Sequence, residues 1–144
     1  MAQGWDGYES GRISEVIEEH TATAVQVEDA TEHWTLSAKS FPRRTMVEYT
    51  GQSQPIGEIR QELIRKWLKT LGKDKSTVEL FEREYLFRED GIDHWIPVQA
   101  KVAAYFDDEL TVGQPVELFV VWVGAHYAGA EITWVFIANE FSTP

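Results

Sequence analysis

Seven apolar residues between Ile56 and Leu71 recur at intervals of three and four: Ile56, Ile59, Leu63, Ile64, Trp67, Leu68 and Leu71. That spacing follows the 3.6-residue turn and predicts one long amphipathic helix from Pro55 to Leu71. Ser53 or Gln54 stands at its expected cap, Pro55 suits the first helical turn, and Gly72 is a natural stop. Glu62 precedes Arg65 and Lys66 by one turn, which supports the exposed face. An apolar stripe this broad has to be covered, so Trp67 at its centre is expected against a sheet.

The remaining chain supplies strands to cover it. Ile13, Val16, Ile17 and His20 fit a short helix or irregular turn, and the β-branched run after Thr21 predicts a strand through Thr23, Val25 and Val27. Glu28–Glu32 reads as a turn, Trp34, Leu36 and Ala38 as one face of a second strand, and Thr45–Thr50 as a third. After the charged loop Lys73–Ser76 comes a long strand, Thr77–Arg88, ended by the turn signal Asp90-Gly91. Trp95–Val98 is extended, and Val98, Val102, Tyr105, Phe106 and Leu110 fit a second, short helix. Val116–Val123 and Ile132–Phe141 are apolar on both faces and should be central strands, joined by a loop from Gly124 to Gly129.

These elements describe an α+β chain of mostly antiparallel sheet, closed or half-closed into a barrel and packed against the long helix. Three strands, a helix and further strands is an OB-like order. The 144 residues fit a single domain over 1–144, with residues 1–11 a loose N-terminal arm that Trp5 and Tyr8 tack down.

Charge and composition narrow the function classes. A formal net charge of −11 repels phosphate backbones, so nucleic acid is not an expected partner. Residues 41–76 run against this trend with 8 basic and 4 acidic residues, either as an anion-facing surface or as a solvated helix face. With no cysteine there is no disulfide, thiolate metal site or cysteine nucleophile. No run of about 18 apolar residues exists to span a membrane. Met1–Trp5 lacks the features of a signal peptide, which points to the cytoplasm, or to the periplasm or exterior if a signal peptide has been removed.

No phosphate-binding glycine motif or nucleophile elbow is present, and His20, His33, His94 and His126 share no metal-ligand spacing. No cofactor, metal site or catalytic residue is therefore assigned. Glu82 and Glu84 lie two apart on a strand, their carboxylates roughly 6.6 Å apart along one face. Paired acids at such a distance serve glycosidic chemistry. Phe81, Tyr85 and Phe87 oppose them, which points both acids to solvent and leaves Arg83 as an oddity that a β-bulge would re-aim.

Asp93-His94-Trp95 is the most suggestive polar–aromatic cluster, although neighbouring strand residues face opposite ways and Asp93 cannot orient His94 directly. Trp95 is expected in the core and His94 outside. His126-Tyr127 is expected at a loop tip, where binding residues often sit. Arg43-Arg44 could hold an anion in a fork or simply balance surface charge. The weak ligand-binding candidates are thus Arg43, Arg44, Arg83, His94, Trp95, His126 and Tyr127. The leading expectation is a non-enzymatic binding or interaction module for a protein or small ligand. The alternatives are a hydrolase-like enzyme using acidic or histidine residues in a cleft, and a structural subunit that pairs through a strand edge.

Overall fold

The computed structural model of the chain describes residues 7–25, 33–37, 41–72, 80–128 and 131–144. Expectations for Trp5, Val27, the Glu28–Glu32 turn, Ala38, the Lys73–Ser76 loop and the start of the Thr77 strand fall outside these residues. The described elements are β1 (Glu9–Ser10), α1 (Ile13–Val25), β2 (His33–Leu36), β3 (Arg43–Pro55), α2 (Glu58–Thr70), β4 (Phe81–Glu89), β5 (Ile92–Gln99), α3 (Ala100–Ala103), α4 (Phe106–Glu109), β6 (Pro115–Ala128) and β7 (Glu131–Ser142). All seven strands belong to one mixed sheet.

Five strands form a closed ring, β3-β4-β5-β7-β6 and back to β3. Closure depends on the length of β3. Its first half pairs with β6, from Arg43↔Val120 to Glu48↔Pro115, and its second half with β4, from Glu48↔Arg88 to Pro55↔Arg83. A bulge around Gly51, at φ 79°, bends the strand within the β4 pairing. Here β1 adds in parallel to β3, and β2 adds to the far half of β6. The loose-arm expectation therefore fails at Glu9 and Ser10, which are paired. Tyr8 does tack this segment down, with its ring 5.7 Å from Phe119 and its hydroxyl accepting from Asn139 Nδ2 at 3.2 Å.

The ring interior holds one core. Val47, Phe87, Ile96, Val98, Leu118, Val120 and Trp122 line it, Ile13 and Val16 of α1 enter at one side, and Val102, Phe106 and Leu110 enter from the α3–α4 segment. A second core lies outside the ring, where Leu63, Ile64, Trp67 and Leu68 of α2 meet Phe81, Val121, Val123, Val135 and Ile137. The two apolar faces of β6 and β7 thus serve two different cores, and Trp67 is buried as its place on the stripe requires.

Four elements differ from the sequence expectation. Helix α2 is 13 residues long, about 20 Å, and starts after Gly57. Pro55 instead ends β3, a position a residue without an N–H tolerates, so neither Ser53 nor Gln54 is the cap. Ile59 and Leu71, at the margins of the stripe, are exposed. Helix α1 continues through Val25 where a strand was expected, because burial of Ile13 and Val16 and a distant cap at its start outweigh the β-branched residues that follow. The second short helix is two single turns, with Val98 on β5 and Tyr105 exposed. Residues 124–128 continue β6, which ends at Ala128, rather than looping. The Asp90-Gly91 turn is as expected: φ values of 49° and 83° mark a type I′ turn joining β4 to β5.

Candidate functional site

The candidate site is a seam in the ring wall. Strand β7 zips to β6 over eleven antiparallel register pairs, but meets β5 in parallel at a single pair, Val98↔Ala138. Gln99 Nε2 donates to Asn139 Oδ1 at 2.9 Å beside that pair. Away from it the two strands carry no further ladder pairs among the described residues. A cleft of about 320 Å³ lies between Ile92–Ile96 of β5 and Ile132–Phe136 of β7. Arg60 reaches it from α2, and Ile17 from α1.

Strand β4 supplies the electrostatics behind the seam through Glu84 and Glu89, both buried. Their separation of five residues puts them on opposite faces. Glu84 faces α2. It accepts from Gln54 Nε2 at 2.6 Å and from the Gly57 N–H at 3.3 Å, and Arg60 Nη1 lies 3.6 Å away. Glu89 faces α1. It accepts from the Ile13 N–H at 2.8 Å, the Ser14 N–H at 3.1 Å, the Ser14 hydroxyl, and the Thr45 hydroxyl at 2.6 Å. Each carboxylate therefore sits at a helix N-terminus, where free N–H groups and the helix dipole favour negative charge.

Burial alone would raise the pKa of Glu89. His94 beside it, the two hydroxyls and the Ile13 N–H outweigh burial and hold the carboxyl well below the usual carboxylate range. His94 Nε2 stands 3.5 Å from Glu89 Oε1, at the limit of hydrogen-bond reach.

The expected pairing of Glu82 with Glu84 does not occur. The β4–β5 register slips between Phe81 and Arg83, and the bulge leaves Glu82 and Arg83 exposed while Glu84 is buried beneath α2. Arg83 is re-aimed as a bulge would require, donating through Nε and Nη2 to Ser53 Oγ at 3.2 and 3.1 Å. His94 and Trp95 exchange their expected places. His94 points inward with 11% of its side chain exposed, and Trp95 lines the cleft only partly buried. Parity explains the exchange, since His94 shares its face with Ile96 and Val98 of the inner core. Asp93 faces away from His94, as expected, and accepts from Arg88 Nε at 2.8 Å.

His126 and Tyr127 are not at a loop tip. Both are buried within β6, and the His126 ring lies 4.2 Å from that of Trp34. Gly124 makes this packing possible: a Cβ there would fall 2.1 Å from the Thr35 carbonyl oxygen of β2. Arg43 and Arg44 form no fork. Arg43 bonds to the Pro42 carbonyl at 3.0 Å and lies 3.9 Å from Glu9, while Arg44 is exposed.

The seam therefore gathers His94 and Trp95 from the expected set and adds Arg60, Thr133 and Trp134. Arg60 was visible by periodicity, since positions 60, 63, 64 and 67 share the buried helix face. Trp134 likewise shares the alternation of Phe136 and Ala138. No three potential metal ligands converge among the described residues, and no described helix is long and apolar enough to cross a membrane. No family model matches the chain, and neither does any curated protein or solved structure.

Proposed function

We propose that this chain is a non-enzymatic binding module whose ring is an OB-like barrel, and that it holds a small, ring-bearing ligand in the β5–β7 seam. In OB-type barrels ligands meet the face of the second and third strands and the loops beside it. The corresponding ring strands here are β4 and β5, and α2 occupies the connection before them. The observation that carries the reading is the convergence of Trp95, Trp134, His94 and Arg60 on one cleft, where aromatic walls meet a few polar groups.

The hydrolase alternative loses its acid pair, because Glu82 is exposed and Glu84 is sealed against α2. Glu89 also makes a poor partner for a nucleophile. The Ser14 hydroxyl donates to Glu89 itself rather than to an imidazole base. Titration of the isotope-labelled protein with ring-bearing fragments tests the proposal. Saturable shifts of the Trp95 and Trp134 indole N–H resonances are expected. Shifts confined to other surfaces, or none with any fragment, would reject it.

A further inference from the structure

Arg60 and His94, the two nitrogen-bearing side chains at the seam, each face a buried carboxylate from behind. Arg60 Nη1 lies 3.6 Å from Glu84 and His94 Nε2 3.5 Å from Glu89, and both carboxylates are closed to solvent. Neither side chain is saturated by this pairing. Arg60 Nε and His94 Nε2 are buried without a hydrogen-bond partner among the described residues, and both side chains line the same cleft. A buried polar nitrogen left unpaired is destabilising, so a ligand atom that meets it gains binding energy.

Charge compensation decides what kind of atom that is. An anionic ligand would meet an Arg60 charge that Glu84 already balances and would lie near a second buried carboxylate, Glu89, inside a chain carrying a net −11. A neutral oxygen satisfies the same nitrogens without adding charge. The other walls fit this chemistry. Trp95 and Trp134 are only partly buried at the cleft, and the Trp95 indole makes no hydrogen bond or ring contact among the described residues. Indole faces attract the electropositive C–H edge of a saturated ring. Thr133 and Asp93 add a hydroxyl and a carboxylate that accept hydrogen bonds from ligand hydroxyls. At about 320 Å³ the cleft is near the lower end of the roughly 300–1,000 Å³ common for ligand sites, which suits a single ring.

Resting on the seam as the binding site, we infer that its ligand is a neutral, hydroxyl-bearing ring of pyranose size, held face-on by indole and edge-on by Arg60 and His94. Glucose and N-acetylglucosamine are suitable neutral probes, with glucuronate and benzoate as their anionic counterparts. At least one neutral sugar is expected to shift the Trp95 and Trp134 indole resonances saturably, with glucuronate binding no more tightly than glucose. Trp95→Ala, at a partly exposed position, should weaken that binding at least tenfold with the amide spectrum otherwise retained. Arg60→Lys keeps a cation beside Glu84 but removes the Nε donor, and should weaken it severalfold at unchanged fold. Tenfold tighter binding of glucuronate or benzoate would overturn the neutral class and leave the seam as a binding site. Sugar binding indifferent to both substitutions would remove the sugar from the seam. Silence with all four probes and with the fragments would overturn both readings.

Discussion

Glu84 and Glu89 stand five residues apart on one strand, both buried, each at the start of a helix, yet they dock those helices by different means. On the outer face α2 brings four buried apolar side chains, Leu63, Ile64, Trp67 and Leu68, and Glu84 adds Gln54, Gly57 and Arg60. On the inner face α1 brings Ile13 and Val16, and Glu89 gathers four donors from Ile13, Ser14 and Thr45 with His94 alongside. The outer helix is held mainly by apolar area, the inner one by a polar cap supplied from 76 residues away. The lesson is that a carboxylate's burial does not say how much depends on it. The number of donors it satisfies does.

The largest expected effect is from Glu89→Ala, which strands two backbone N–H groups and two hydroxyls. Breaking a buried pair costs about 3–5 kcal/mol, a large part of a total stability of about 5–15 kcal/mol. The variant should unfold far more easily in urea or fail to fold. A midpoint close to that of the parent protein would mean α1 does not need its cap. Trp67→Ala attacks the outer helix through its apolar side and should cost about 3–5 kcal/mol by cavity formation.

Glu84→Gln should cost less, about 1–3 kcal/mol, because the amide oxygen still accepts from Gly57 while the contact with Arg60 weakens. If Glu84→Gln proves as damaging as Glu89→Ala, the contrast between the two faces collapses.

Acid sharpens the same contrast. The folded Glu89 carboxyl is held below its unfolded value of roughly 4.3, so its contribution is present above about pH 5 and is lost as pH falls toward the folded pKa. Thermal midpoints measured from pH 6 down to pH 3 should decline, and Glu89→Gln should decline less steeply. Equal slopes would remove Glu89 from the acid response. The smallest effect belongs to Arg65→Ala. Arg65 is exposed on α2 and among the described residues pairs with Glu62 alone, so its loss should stay within about half a kcal/mol.

Local pattern carried the elements that local physics decides. The α2 stripe, the Asp90-Gly91 turn and the doubly apolar β6 and β7 all follow from spacing and residue type alone. What spacing cannot convey is the identity of distant partners. Ser53 and Gln54 are the obvious neighbouring caps for α2, but Glu84 of β4 accepts from Gly57 and β3 runs on through Pro55. The α1 segment looks half strand because nothing near Ile13 hints at Glu89. The bulge at Glu82 breaks the period of two, so Glu84 is buried under α2 while Glu82 stays exposed. His94 and Trp95 are legible as a cluster, but only the splay of β5 from β7 opens the cleft that both of them line.

The type I′ turn at Asp90-Gly91 also bears on the order of events during folding. It joins two strands whose pairing spans few residues, and an isolated hairpin of this kind closes in about 1–10 μs. Ring closure instead brings Arg43 to Val120, a long loop whose entropy has to be overcome before contacts reward it. Glu89 sits immediately before the turn, so it is carried on an early-forming hairpin. Helix α1, though it precedes β4 in the chain, is expected to find its cap only after the chain has grown past residue 89, which makes docking of α1 a late step.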